Sequence, residues 1–266
     1  MRRFIEGYPI LSSVIITVLF LIISNLAGDV WIFGDSAASL FGYEFAQMVI
    51  PFLFVVFFSD IRVYKRKGIG KTLLAGGYMA VSQSLLLIMV IAITALTPET
   101  EWCSPWGVAY GIVVLFGIGF REESIFRGVI VENIAKKYIK DRPGVYITAV
   151  ASGVVFGVMH MANMFAGVDL MSATIQSVVA MGAGFYFAAI YLRGGSIWAL
   201  ILIHSLADAA SMFAPTFTVN NGDPIEAINS LSILNLAPFF ILTWLGLFLL
   251  RESKCDEIVE KFKTSG

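Results

Sequence analysis

The feature that most constrains the fold of this chain is a series of long apolar tracts separated by short polar connections. A transmembrane helix needs about 20 consecutive apolar residues. Of the 266 residues, 58% are hydrophobic and only 14% are charged, a composition that ordinary soluble domains do not have. The apolar tracts are roughly 8–27, 42–59, 72–96, 105–134, 144–165, 171–192, 195–213 and 230–250. The sequence therefore predicts an all-α, polytopic membrane protein with about eight transmembrane helices in one bundle.

The same pattern predicts one integral-membrane domain over residues 1–266, without an internal repeat or a separate soluble domain. The tail after Arg251 is expected to form one or two amphipathic turns. Cys103 and Cys255 are expected on opposite sides of the bilayer, so a disulfide between them is not predicted. Close approach of helices is expected at a group of glycines, namely Gly182, Gly184, Gly194 and Gly195.

The charged residues between the tracts predict how the chain is oriented in the membrane. Every second connection is basic, and the connections between them carry acidic residues without lysine or arginine. The basic positions are Arg2, Arg3, Arg62, Lys65, Arg66, Lys67, Lys71, Lys136, Lys137, Lys140, Arg142, Arg193, Arg251, Lys254, Lys261 and Lys263. The acidic positions are Asp29, Asp35, Glu99, Glu101, Asp169, Asp223 and Glu226. Under the positive-inside rule, both termini are predicted to be cytoplasmic.

These properties also bound the location and the partners of the protein. The compact size and the short loops favour a prokaryotic cell membrane, with the lipid bilayer as the first partner. The basic residues form short, separated clusters at the ends of tracts instead of one continuous stripe. Nucleic acid is therefore not expected as a partner.

The stretch from Arg121 to Gly128 places four charged side chains inside the tract 105–134. Charges at membrane depth are costly and usually mark a functional site. Glu123 and Arg127 are four residues apart, so they are predicted to pair on one helix face. Glu122 points about 100° away from Glu123 and has no partner on its own helix. Such a carboxylate is suited to act as a general base, although both glutamates could instead be members of structural ion pairs.

The chain has two histidines, and both lie inside apolar tracts. His160 follows Phe156 by four residues, and His204 precedes Asp208 by four residues. The second spacing lets the aspartate bond to the imidazole or orient it. Read one at a time, His160 could be a packing residue and the His204–Asp208 pair a polar clamp between helices. Taken together, two glutamates and two imidazoles are the side chains typical of a catalytic centre.

These motifs resemble those of the CPBP (Abi) family, which includes the type II prenyl-protein CAAX endopeptidases. The first motif is Glu-Glu-x-x-x-Arg at 122–127, the second is Phe-x-x-x-His at 156–160, and the third is His-x-x-x-Asp at 204–208. They occur in the order of the family, on the fourth, fifth and seventh tracts. The motif-bearing region covers about 105–213, and the first three tracts carry no recognisable signature.

The resemblance implies glutamate-type intramembrane proteolysis of a membrane-associated, prenylated or otherwise lipidated peptide or protein. Glu122 and His160 would activate a water molecule, and His204 with Asp208 would stabilise the oxyanion. The supporting residues would be Glu123, Arg127 and Phe156. Because an ionised aspartate cannot donate a hydrogen bond, Asp208 is expected either to be protonated or to act on His204 from behind. The second role is preferred, and it leaves His204 as the donor.

Several alternatives stay open at this point. No cofactor is expected, but zinc held by Glu122, His160 and His204 is a second reading, since these are zinc-ligand types. A proton-coupled transporter could use the same residues as a relay, although no internal repeat supports it. A non-catalytic immunity or binding protein could also keep the pocket.

The predicted boundaries place Glu122 and His160 at different depths in the membrane. Glu122 lies about 17 residues, or roughly 25 Å, from the outer end of its tract. His160 lies only about 5 residues from the outer end of its own tract. For the two to share one water molecule, the fifth helix must run beyond Ala166 or the helices must tilt strongly.

Overall fold

The computed structural model describes residues 2–30, 36–219 and 224–264. Within these ranges the chain is helical and forms no strand; an isolated bridge joins Trp102 to Thr218. The prediction of an all-α membrane protein is confirmed. Asp35 and Asp223, which the charge pattern used, lie outside the described residues.

The boundaries of the helices follow the apolar tracts closely. In chain order the α-helices are α1 Arg2–Gly7, α2 Pro9–Val30, α3 Ala37–Phe58, α4 Ile69–Ala75, α5 Gly77–Leu96, α6 Pro105–Glu123, α7 Glu132–Tyr138, α8 Arg142–Met159, α9 Leu170–Gly194, α10 Ile197–Phe217, α11 Pro224–Asn229, α12 Ala237–Leu249 and α13 Glu252–Thr264. The 3₁₀ helices are Ile61–Lys65, His160–Ala166 and Ile233–Leu236, and a π-helix covers Ser124–Val131.

Six helices in the described ranges are long and apolar enough to cross a membrane, or up to seven if the bent pair around residue 250 is one span. The tract 105–134 is helical but is not among them, because its middle carries Arg121, Glu122 and Glu123. It accounts for the eighth span of the sequence prediction. The chain is therefore an integral membrane protein with one charged helix inside its bundle.

The C-terminal tail is longer than the one or two turns that the sequence predicted. Helix α13 has 13 residues and bends by 65° from the preceding helix. It packs on the bundle through Cys255, which is fully buried, and Ile258. Arg142 Nε donates to Asp256 at 2.7 Å and Arg193 to Glu257 at 2.8 Å, so ion pairs also hold this helix.

Helix α6 continues without interruption through the π-helix into α7. All eight residues of the π-helix are buried. A π-helix widens the turn and is often found at functional sites. Here it starts at Ser124, directly after the two glutamates, and it contains Arg127.

Glycines bring the helices that carry the site into backbone contact. A Cβ added to Gly153 or Gly157 of α8 would lie 2.8 or 2.5 Å from a backbone oxygen of α9. The predicted close approaches at Gly182 and Gly184 are confirmed, because added Cβ atoms would lie 3.0 Å from the Phe239 backbone and 2.9 Å from Phe156. Since nothing larger than hydrogen fits there, α8 and α9 are held in a fixed register.

The predicted inner end of the bundle is held by a buried polar network. Glu132 accepts from Arg66 Nη2 at 2.7 Å and from the Tyr191 hydroxyl at 2.9 Å. Because Glu132 is only 1% exposed, these partners offset the cost of removing its carboxylate from water. The network ties the connection before α4 to α7 and α9.

Candidate active site

A cavity of about 880 Å³ is enclosed by α2, α3, α6, α9, α10 and the segment 227–238. Four predicted site residues line it: Glu122, His160, His204 and Asp208. The other three, Glu123, Arg127 and Phe156, are buried behind its wall. The structure thus brings side chains from three separate sequence motifs to one place.

Glu122 and His160 reach the same depth although the fifth helix is not longer than predicted. The 3₁₀ helix that follows α8 ends at Ala166. Phe126 packs edge-on against Phe156 with ring centroids 4.8 Å apart. Glu122 lies one turn before Phe126 and His160 one turn after Phe156. Because α6 and α8 run in opposite directions, Glu122 and His160 reach the same level, at the end of α8.

Glu123 is the centre of the buried part of the site. Its Oε1 accepts from Arg127 Nη1 at 2.9 Å and from His204 Nδ1 at 2.6 Å. The side chains of Glu123 and Arg127 are both fully buried. The ion pair predicted from the four-residue spacing is present, and His204 adds a partner from α10 that the spacing could not reveal.

Arg127 is held by aromatic rings as well as by Glu123. Its guanidinium carbon lies 5.1 Å from the ring centroid of Phe156 and 5.3 Å from that of Phe187. Its Nη2 donates to the backbone oxygen of Gly184 at 3.0 Å. Cation–π contacts and this hydrogen bond compensate a desolvated charge. Arg127 therefore links the π-helix, α8 and α9 behind the cavity.

His160 has a defined tautomer. Its Nδ1 lies 2.9 Å from the backbone oxygen of Phe156, and a carbonyl can only accept, so Nδ1 carries the hydrogen. In the neutral ring, Nε2 then holds the free electron pair. The ring lies edge-on against Phe156 at 4.9 Å. These two contacts fix its orientation at the edge of the cavity.

His204 is oriented from its buried side. Because Nδ1 donates to Glu123, the other nitrogen is directed toward the cavity carboxylates. Nε2 lies 3.5 Å from Glu122 Oε2 and 3.8 Å from Asp208 Oδ2. Glu122 was expected to lack a partner on its own helix; its neighbour in the structure is an imidazole from α10.

Asp208 does not occupy the place expected for it. The sequence interpretation put Asp208 behind His204, but the nitrogen on that side is bonded to Glu123. Asp208 instead lies on the cavity side, near Nε2, and its Oδ2 has no hydrogen-bond partner within the described residues. The difference arises because Nδ1 is already hydrogen-bonded to Glu123, which lies on another helix.

Two further polar pairs in the cavity were not predicted. Arg121 Nη1 donates to Glu44 Oε2 at 2.9 Å, and Asn163 Nδ2 donates to Gln176 Oε1 at 2.8 Å. Glu44 is the only charged residue of the tract 42–59, and an isolated intramembrane acid was the signal that could have identified it. No comparable signal marks Asn163 or Gln176.

The zinc alternative gains no geometric support. In the part of the chain that the structure describes, no group of three or more histidine, cysteine or acidic side chains is arranged to hold a metal ion.

With this geometry established, comparison with known proteins gives one decisive result. Residues 104–210 match the family described as type II CAAX prenyl endopeptidase Rce1-like. This part of the chain is similar to that family. The match confirms the resemblance found in the three motifs, and it spans nearly the whole predicted motif-bearing region. No curated protein and no solved structure gives a significant match.

Proposed function

We propose that this protein is an intramembrane endopeptidase that hydrolyses a peptide bond in a membrane-associated peptide or protein, with or without an attached lipid. The observation that carries the proposal is the cavity that holds Glu122, His160, His204 and Asp208 together within the Rce1-like region. Hydrolysis within a bilayer requires a polar chamber that admits water, and a cavity of this size has room for both water and peptide.

The attacking water would bind between Glu122 and His160. Both side chains line the cavity at the same level, and His160 Nε2 is available as an acceptor in the neutral ring. As water attacks the carbonyl carbon, Glu122 takes its proton and His160 orients it. The proton then passes to the leaving amine, so that one water is consumed and two peptide ends are formed.

His204 would stabilise the negative oxygen of the tetrahedral intermediate. Glu122 and Asp208 lie on the cavity side of its ring, 3.5 and 3.8 Å from Nε2, and carboxylates accept hydrogen bonds from ring N–H groups. A protonated Nε2 is a hydrogen-bond donor directed at the cavity. Glu123 would act as a positioning residue that holds the ring through Nδ1, and Arg127 with Phe156 would hold Glu123.

The direct test is the Glu122→Gln variant, assayed by mass spectrometry for cleavage of candidate peptides. We expect a loss of turnover of about 10²- to 10⁴-fold or more, because the general base is removed. His160→Ala should lose a similar factor. The exposed carboxylate variant Glu252→Gln is the control and should keep wild-type turnover. Full turnover by purified Glu122→Gln protein would remove the assignment.

Three further measurements address the alternatives. A proton-coupled transporter would produce substrate-dependent proton flux in liposomes without a cleaved product, and an immunity protein would bind a peptide without cleaving it. Dialysis against a strong chelator is expected to leave cleavage unchanged. Loss of activity that added zinc restores would instead favour the metal mechanism.

A further inference from the structure

Arg121 has a position in the cavity that the proposed reaction does not use. It directly precedes Glu122 on α6 and lines the same cavity. Among the described residues that line this cavity, it is the only lysine or arginine. Its side chain is 19% exposed, whereas that of Glu44, its partner, is 5% exposed. The arginine is therefore the more accessible member of the pair.

The ion pair leaves most of the guanidinium available. Arginine has five N–H donors, and the single hydrogen bond found for the Arg121 side chain within the described ranges is from Nη1 to Glu44. Glu44 also packs against α6, because its Oε2 lies over Gly117, where an added Cβ would be 3.2 Å away. Unused donors of a desolvated cation are strong binding sites for an anionic oxygen.

The surroundings indicate which anion fits. The cavity that Arg121 lines also carries apolar side chains, including Leu21, Ile118 and Ile228. A compact inorganic anion would leave these side chains without contacts, whereas an apolar peptide that carries a carboxylate would fill the space and reach the guanidinium. Planar guanidinium groups match carboxylates in a bidentate geometry that lysine cannot provide.

We infer that Arg121 is a specificity-determining residue that binds a carboxylate of the substrate, and that Glu44 both holds the guanidinium and competes with that carboxylate. This inference rests on the proposed function, since it assigns substrate recognition to the same cavity. Because Arg121 and Glu122 are neighbours on one helix, the carboxylate binds within a few residues of the bond that is cleaved.

The test measures binding and does not require cleavage. A fluorescently labelled apolar tripeptide is titrated into the detergent-solubilised protein, once with a free C-terminal acid and once with a C-terminal amide. We expect the wild type to bind the acid more tightly on the order of 10- to 100-fold, as for hydrogen bonds to charged groups. Arg121→Gln should bind the acid no better than the amide, whereas Arg121→Lys should keep part of the preference.

The Glu44→Gln variant separates recognition from a purely structural ion pair. Removing the competing carboxylate should tighten binding of the acid by at least about threefold, whereas a structural pair predicts weaker binding. Arg62→Gln, an exposed arginine outside the cavity, is the matched control and should keep the wild-type preference. Thermal unfolding of each variant identifies any that fail to fold.

A third peptide identifies the source of the carboxylate. An amidated peptide that ends in glutamate offers only a side-chain carboxylate; if it loses affinity in Arg121→Gln, a side chain is recognised, and if it does not, the C-terminus is. The inference is overturned if the wild type binds neither the acid nor the glutamate peptide more tightly than the apolar amide, or if Arg121→Gln loses affinity equally for all three peptides. Peptide binding with the expected preference but without cleavage would leave it standing and reject the proposed enzyme.

Discussion

Two neighbouring glutamates in this protein have different surroundings, and this difference decides what each can do. Glu122 lines the cavity, with 19% of its side chain exposed, whereas the side chain of Glu123 is completely buried between Arg127 and His204. On a helix, adjacent residues point about 100° apart, so one faces water and the other faces the core. The position of Glu122 in the cavity therefore depends on the buried contacts that Glu123 makes.

At this scale we predict that Glu123→Gln destabilises the protein. The substitution leaves the Arg127 guanidinium buried without its carboxylate, and breaking a buried ion pair in this way costs about 3–5 kcal/mol. The measurement is the free energy of unfolding in detergent. Glu122→Gln is the matched control, one residue away, and should unfold like the wild type. Wild-type stability of Glu123→Gln would show that Arg127 does not depend on this partner.

At the scale of elements, the site depends on the contact between α8 and α9. Gly153 and Gly157 lie one turn apart on α8, and each touches the backbone of α9. The Ser177 hydroxyl donates to the Gly157 oxygen at 2.8 Å, which adds a hydrogen bond across the contact. Since α8 ends at Met159, this contact sets the position of His160 in the cavity.

We therefore predict that Gly157→Ala lowers both stability and activity. The new Cβ would lie 2.5 Å from the backbone oxygen of Ser177, and overpacking of this kind costs about 1–3 kcal/mol. Separation of the helices would also move His160 away from Glu122. Thermal unfolding and the peptide assay measure the two effects.

The control for this substitution is Gly70→Ala in α4, where nothing lies within 4 Å of an added Cβ. It should be neutral or slightly stabilising, because alanine favours helices by up to about 1 kcal/mol. An equal loss in both variants would mean that the α8–α9 contact is not responsible.

At the scale of the whole molecule, the cavity lies toward one end of the bundle. Its lining comes from the second half of α2, the first half of α3, the first third of α9, the end of α8 and the 227–238 segment. These parts adjoin the acidic connections of the sequence, whereas the basic connections lie at the opposite ends. Under the positive-inside rule, we predict that the cavity opens to the extracytoplasmic side.

The orientation predicts the side from which a cysteine in the cavity is labelled. In a Cys103→Ser, Cys255→Ser background, Ser211→Cys in the cavity should react with a membrane-impermeant maleimide added outside right-side-out vesicles. Lys140→Cys, in an exposed basic connection, should react only in inside-out vesicles. Labelling of both cysteines from the same side would contradict the orientation. Labelling does not depend on catalysis, so the result is independent of the proposed reaction.

Much of the architecture could be predicted from the sequence because membrane insertion depends on local properties. Each apolar tract is a local signal, so the helices lie where the tracts predicted them. The pair Glu123–Arg127 and the three motifs follow from spacing within single helices. The length of α13 was missed because a short amphipathic segment gives a weak signal unless it packs on something.

The sequence by itself determined which segments cross the membrane and which residues could carry the chemistry, because both depend on side chains close together along the chain. Tertiary structure alone decided which residues from different helices meet: Glu123 with His204, Glu44 with Arg121, and Glu122 level with His160. The physical reason is that packing sets the register of the helices. Packing here depends on glycine contacts and on a π-helix, and neither can be predicted from residue spacing within one helix.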